Sequence, residues 1–419
     1  MKKNIWILNH YATNTFKDQA GRHYWFAENL IKEGYNPTIF CASTIHNSDE
    51  SIDTGNHQYL SENSGSIPFV FVNTPKYGDN GKKRIINMLV FYKKLFSVTR
   101  DYAEKYGKPD IILASSVHPL TMVAGIKIAK KFGITCICEV RDLWPESIVA
   151  YGVGSKKNPL IKTLYHGERW IYRNADKLIF TIEGGKDYII DRGWSNVDKN
   201  TVDLNKVYHI NNGVDLETFN NNKKTISVND KDLENPDTFK VVYTGSIRKV
   251  NNVRKIVKVA ELFKEKEIKN IKFLIYGDGT DKPILEKYCS DNNLENVVFK
   301  GKVDKNKIPY ILSNSDLNII HFQDNDIKKY GASLNKLFEY FASGKPTISD
   351  CEFGYDLIKK YKAGLVFNNG DVEQLGAGIL EFYEMPVDTY NLYSDNAFKA
   401  AKDYDFKKLT LDLINVIEN

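Results

Sequence analysis

Short apolar runs alternate along the chain with stretches of helical spacing, and the alternation starts twice. In the first half, "NIWILN" (4–9), "NPTIFCAS" (36–43), "DIILASS" (110–116), "ITCICEV" (134–140), "KLIFTI" (177–182) and "KVYHI" (206–210) predict strands. "GRHYWFAENLIKEG" (21–34) and "PLTMVAGIKIAKKFG" (119–133) predict helices, the second opening on Pro and both closing on Gly. Near 239 the pattern restarts. Strands are expected at "FKVVYTG", "IKFLIYGDG" (271–279), "NVVFKG", "DLNIIHF" (316–322), "KPTISD" and "GLVF" (364–367), with helices at 253–266, after Ser333, and through most of the last 30 residues. Continuous apolar strands separated by helices mean parallel sheets covered on both faces. Two such sets predict two doubly wound α/β domains. Their join is read at 211–237, a segment rich in Asn and Asp and poor in apolar runs.

A chain of 419 residues is too long for one core, which agrees with two domains of roughly 200 residues each. A hydrophobic share of 42% and a charged share of 26% describe a globular protein rather than a disordered one. The net charge of +5 is too weak to imply nucleic acid. The five cysteines are scattered without C-x-x-C spacing, which predicts reduced thiols, no zinc site and a cytoplasmic protein. "MKKNIWILNH" has a basic start but too short an apolar core for a secretory signal. No window approaches the ~18–20 apolar residues of a membrane span. One stretch, 81–100, sets Ile85, Met88, Leu89, Tyr92 and Phe96 at helical spacing among Lys82, Lys83, Arg84, Lys93, Lys94 and Arg100. It fits first a helix packed on its own domain, and alternatively one docking on anionic lipid.

Ligands of open parallel sheets bind beyond the carboxyl ends of the strands, so candidate chemistry is sought there. Gly21 closes the long loop after the first strand, where backbone N–H groups can face a phosphate or sugar. His118 in "SSVHP" sits between a strand end and a helix start. "EVRDLWPES" (139–147) crowds Glu139, Arg141, Asp142 and Glu146 at another strand end; it reads as a structural Arg141–Asp142 pair or as acceptor binding. In the second half, Gly245 and Ser246 in "YTGSIRK" let backbone approach an anion that Arg248 can bind, and Gly277 in "YGDG" opens a similar turn. In "YGASLNKLFEYFASGKP" the residues Leu334, Leu337, Phe338 and Phe341 form a buried helix face with Ser333 as N-cap. Lys336 and Glu339 lie on another face. The free N–H groups of the first turn, through Leu334 and Asn335, together with Lys336 suit a diphosphate, and Glu339 one turn on suits the hydroxyls of a ribose. By spacing alone the same pair fits a solvated ion pair.

The order "SSVHP", "EVRDLWPES", "NNGVD", "SLNKLFEYFASGKP" resembles the bacterial glycosyltransferases of family 4, and "EVRDLWPES" resembles the O-antigen and capsule subgroup that includes fucosaminyltransferases. The resemblance implies a GT-B fold: an acceptor domain (1–213) and a donor domain (214–395) facing a cleft, and a C-terminal helix (396–419) crossing back to the first. It implies a retaining transferase with a UDP-linked donor, no metal, and a lipid-linked or glycan acceptor at the inner membrane face. By position Glu339 binds the ribose, Arg248 and Lys336 neutralise the diphosphate, His118 contacts the donor sugar, and Gly21 lies near the phosphates. Two departures stand out. The family's acidic residue eight positions before the ribose Glu is Gly331 here, and the usual Lys after the Gly-x-x-Arg turn has only Lys249, Arg254 or Lys255 to replace it. Three rivals are a metal-dependent transferase of the other major fold, suggested by "DND" (324–326), a UDP-sugar 2-epimerase, and a non-catalytic nucleotide- or glycan-binding protein.

Overall fold

Parallel strands carry both halves of the chain. The computed structural model describes residues 3–46, 48, 50–78, 81–116, 118–195 and 201–419. The chain divides into two units, Met1–Asn211 with Leu409–Asn419, and Asn212–Lys408.

The first unit holds an eight-stranded sheet of β1 (Asn4–Leu8), β2 (Asn36–Ala42), β3 (Tyr59–Ser64), β4 (Ile67–Val72), β5 (Ile111–Ser115), β6 (Thr135–Val140), β7 (Lys177–Phe180) and β8 (Val207–His209). The order is β3-β4-β2-β1-β5-β6-β7-β8, parallel except for β3 on β4. The strands are Ile-, Val- and Phe-rich and almost fully buried, as a sheet covered on both faces requires. The hairpin β3–β4 is not among the strands read from the sequence. Its edge strand "YLSENS" is largely polar, so it carries little periodic apolar signal. The end of the chain returns to this unit: Glu418 pairs with Lys3 at 2.6 Å and accepts from Tyr35 at 2.8 Å, and Val416 O accepts from Lys177 at 2.6 Å.

The second unit holds β9 (Phe239–Thr244), β10 (Ile271–Tyr276), β11 (Val297–Gly301), β12 (Leu317–Ile320), β13 (Thr347–Ser349) and β14 (Gly364–Val366), all parallel, in the order β11-β10-β9-β12-β13-β14. Val241, Tyr243, Ile256, Phe263, Phe273 and Ile319 anchor its core.

Three local expectations change. The segment 211–237 is not a bare linker but carries helices Leu216–Thr225 and Lys231–Glu234. Its Asp residues, which look like loop signals, are helix caps: Asp215 accepts from Thr218 N, and Asp230 from Asp232 N and Leu233 N. The end of the chain forms two helices, Val387–Asp403 and Phe406–Glu418, rather than one from 396. In the helix Gly81–Tyr106 the buried face is Asn87, Phe91, Leu95, Val98, Thr99 and Tyr102, so Ile85, Ile86 and Leu89 are left exposed.

Candidate active site

The second sheet reverses its strand order between β9 and β12, with β10 and β11 on one side and β13 and β14 on the other. Loops leaving the strand ends on either side of such a reversal splay apart and leave a crevice. Two segments reach it: the turn Gly245–Arg248 after β9, and the loop 331–334 that feeds helix Asn335–Ser343.

The turn is held by backbone contact that only glycine allows. Gly245 has φ +136°, and a Cβ on Gly277 would stand 1.8 Å from Gly245 O. Asn251 Nδ2 donates to Ser246 O at 2.9 Å and to Ser246 Oγ at 2.7 Å, closing the turn. Arg248 projects from it, exposed and without a hydrogen bond or ion pair among the described residues.

The facing helix is fixed on β9 by Thr244 N, which donates to the Tyr340 hydroxyl at 2.9 Å. Ser333 is not its N-cap. Leu334 holds that position and no side chain caps the helix, while Ser333 Oγ accepts from Asn212 N at 3.1 Å. Leu334 and Asn335 thus begin the helix with uncapped N–H groups. Lys336 turns to Tyr243, not to Glu339: its Nζ donates to the Tyr243 hydroxyl at 3.0 Å and lies 4.3 Å from the ring centroid. Burial lowers the Lys336 pKa to about 8, with Glu339 opposing. The half-buried Glu339 carboxyl has no hydrogen bond or ion pair among the described residues. Burial pushes its pKa up, against the pull of Lys305 and Lys336.

Gly331 now has a physical reading. At φ +97° and ψ 178° it occupies a region essentially restricted to glycine, so a Glu there would be strained. Of the three cations that stand near the missing Lys, Lys255 is committed to Asp350 at 2.5 Å and to Gly370 O at 2.6 Å. Arg254 lies over the Tyr288 ring at 5.9 Å, and Lys249 is exposed. Asp324 of "DND" pairs with Lys328 at 2.6 Å. Among the described residues no three His, Cys, Asp or Glu stand close enough to share a metal.

The first sheet reverses its order between β1 and β5. His10 follows β1, and His118 N-caps helix Pro119–Phe132 after β5. His118 is buried and bonded to His10 at 2.7 Å; burial and Arg84 lower its pKa to about 3. Arg141 and Asp142 do not pair with one another. Arg141 Nε is buried without a hydrogen-bond partner, and exposed Asp142 lines a small cavity with His118, Trp144 and Glu168. Gly21 takes φ +112° at the start of helix Arg22–Lys32.

The crowding at "EVRDLWPES" is resolved by residues the sequence reading passed over. Glu139, fully buried, accepts from Arg22 Nε and pairs with His23 Nε2, both at 2.8 Å, and accepts from Ser115 Oγ at 2.7 Å. Arg22 and His23 hold its pKa well below the usual range, against burial. The signal was available: Arg22 and His23 open a helix directly after the Gly21 turn.

Known proteins share this organisation. Residues 24–218 match Glycosyltransferase Family 4, and residues 226–400 match Glycosyl transferases group 1. The poly(glycerol-phosphate) alpha-glucosyltransferase of Bacillus subtilis is 27% identical over 171 residues, 40% of this chain; the match spans 24% of that relative's length. Sucrose-phosphate synthase from Thermosynechococcus elongatus superposes with a TM-score of 0.71 at 16% identity, covering 100% of this chain and 98% of the other. HepE of Anabaena, in complex with UDP and glucose, gives 0.68 at 13% identity with 99% of each chain covered. Alpha,alpha-trehalose 6-phosphate synthase from Burkholderia multivorans gives 0.74 at 11%, covering 100% and 98%. With one glycosyltransferase domain matched in each half, in this order and on this fold, the chain belongs to the GT-B glycosyltransferases.

Proposed function

We propose that the protein is a retaining transferase that moves a sugar from a UDP-sugar to a hydroxyl of a lipid-linked or glycan acceptor in cell-surface polysaccharide assembly, of the O-antigen or capsule kind. The sugar is an N-acetylated deoxyhexosamine or a related hexose, as the "EVRDLWPES" resemblance implies. The observation that carries the reading is the half-buried, unpaired Glu339 one turn from Lys336, whose pKa is lowered to about 8, at the switch point of the second sheet. Perturbed ionisable groups gathered at such a crevice mark a functional site. In this reading Glu339 accepts from the ribose hydroxyls. Arg248, Lys336 and the uncapped N–H groups at Leu334 and Asn335 receive the diphosphate, and Gly245, Ser246, Gly277 and Ser333 shape the approach. His118 meets the donor sugar, Gly21 lies near the phosphates, and Arg141 and Asp142 orient the acceptor. UDP is favoured because a protein of the same fold, HepE of Anabaena, is in complex with UDP and glucose.

The reaction breaks the bond from the anomeric carbon to the β-phosphate oxygen and forms one to the acceptor oxygen on the same face. The acceptor proton passes to the departing phosphate oxygen, so neither a protein nucleophile nor a metal takes part. Charge grows on the diphosphate, and fixed cations lower the barrier. A lipid-linked acceptor fits the exposed Ile85, Ile86 and Leu89, flanked by exposed Lys82, Lys83 and Lys93, as a contact with anionic membrane. Among the described residues no helix is long and apolar enough to cross a membrane. Thermal unfolding in the presence of UDP-, GDP- and dTDP-sugars tests the reading. UDP-linked sugars should protect; protection by none of the three overturns it.

A further inference from the structure

The first sheet carries a second opening, at the strand ends away from its switch point. Asn4 opens β1, Asn36 and Thr38 lie at the start of β2, and Ser66 precedes β4. With Tyr102 and Tyr106, at the end of helix Gly81–Tyr106, they frame a recess of about 210 Å³. His10 follows the other end of β1. The five residues of that strand, at ~3.3 Å each, put about 16 Å between the recess and the His10–His118 pair.

The back of the recess is aromatic and firmly packed. Trp6, 2% exposed, meets Phe40, Tyr102 and Phe132 with ring centroids 4.9, 5.6 and 5.9 Å apart. Tyr102 is held in turn by Phe40 at 5.2 Å and by Tyr106 at 4.5 Å, and Tyr106 stands at the mouth, 54% exposed. Among the described residues no charged side chain lines the recess. Asn36 Nδ2 donates to Asn4 Oδ1 at 3.2 Å, which leaves Asn4 Nδ2 and Asn36 Oδ1 without a hydrogen-bond partner among the described residues. The indole N–H of Trp6 has none either. A buried indole N–H ordinarily finds one, and here the recess is where a ligand can supply it.

We infer that this recess is a second carbohydrate site, which takes one neutral pyranose unit of a glycan and stands apart from the transfer chemistry. An amide pair offers one donor and one acceptor side by side, and a hydroxyl needs both, so neighbouring hydroxyls of a sugar ring match it. The C–H face of a pyranose carries slight positive charge and packs on the negative faces of aromatic rings. With no cation in the lining, a phosphate, a nucleotide or a uronate loses its hydration there without compensation. The recess has room for one ring, and the rest of a glycan chain leaves past the exposed Asn36, Ser66 and Tyr106. A transferase that builds a polysaccharide can hold its product there between turnovers. That use rests on the transferase reading above; the affinity of the recess does not.

Fluorine-19 NMR of the full chain labelled with fluorotryptophan tests it, with Trp6→Phe assigning the signal. The probes are the methyl glycosides of glucose, galactose and N-acetylglucosamine. At least one should shift the Trp6 resonance to saturation, whereas glucuronate and uridine monophosphate should leave it in place. A Trp6 signal unmoved by all three glycosides overturns the inference, and so does a stronger response to either anion. Asn36→Ala, at an exposed position, should raise the apparent Kd about tenfold, the scale of a lost neutral hydrogen bond, with thermal unfolding unchanged. An unchanged Kd in that variant overturns recognition by the amide pair. A silent Trp6 with UDP protection intact sinks the carbohydrate recess alone, and a responsive Trp6 without UDP protection sinks the transferase reading alone.

Discussion

At the scale of single residues, the donor-site proposal turns on charges left without protein partners. Arg248 and Glu339 are unpaired among the described residues, so removing either costs the fold little. Glu339→Ala and Arg248→Ala should each lower turnover by ~10²–10³, the usual effect of deleting one preorganised charge-stabilising group, with unchanged circular dichroism. Near-parent activity in both purified variants would be incompatible with the site. Lys336 adds a pH dependence whose sign is fixed. Its pKa in the free protein is about 8, lowered by burial, and a bound diphosphate favours the charged form. Binding of UDP should therefore take up a proton near pH 8 and weaken as pH rises further, up to tenfold per unit. Calorimetry in buffers of different ionisation heat reads the uptake directly, and none at pH 8 to 9 would exclude Lys336 from the phosphates. Much of this was legible in the sequence. Lys336 and Glu339 stand out because charges interrupt an apolar helix. Tyr243, which holds Lys336, looked like any aromatic of a buried strand. His10 carried no signal, because its contact with His118 arises only when the β1 and β5 loops converge.

At the scale of elements, local chemistry explains both what the sequence showed and what it hid. Buried parallel strands such as β5 and β9 are continuous apolar runs and declare themselves, whereas the edge strand β3 is mostly polar. The Asn- and Asp-rich 211–237 resembled a linker because the residues that end loops are those that begin helices. The helix Gly81–Tyr106 shows how a stripe can mislead. The apolar positions that line up in sequence include Ile85 at 59% and Leu89 at 43% exposure, while Asn87 and Thr99 lie on the buried face. Apolar side chains left outside beside lysines call for a partner, and anionic lipid matches both halves of that surface. Replacing Lys82, Lys83 and Lys93 with Glu should abolish sedimentation with vesicles containing phosphatidylglycerol, with donor protection by UDP retained. Undiminished sedimentation would remove the helix from any membrane role.

At the scale of the whole molecule, the two units repeat one device: a parallel sheet whose strand order reverses beside the first strand, with functional candidates on the loops at the reversal. The chemistry differs by unit. The first offers a buried pair of histidines and a satisfied carboxylate network around Glu139; the second offers charge unpaired among the described residues at Arg248 and Glu339 and a backbone conformation at Gly331 that only glycine adopts without strain. Unpaired charge is what an anionic nucleotide requires, and neutral acceptors are what sugar hydroxyls require. The nucleotide alone should therefore act on the second unit. Hydrogen exchange with saturating UDP should slow at 245–251 and 331–339, where backbone N–H groups meet the phosphates, by the factor that ligand binding adds to local opening. In this reading the strands β1 to β8 do not hold UDP and should exchange as before. Protection concentrated in the first unit, with 331–339 unchanged, would reverse the assignment and place the nucleotide among residues built to stay neutral.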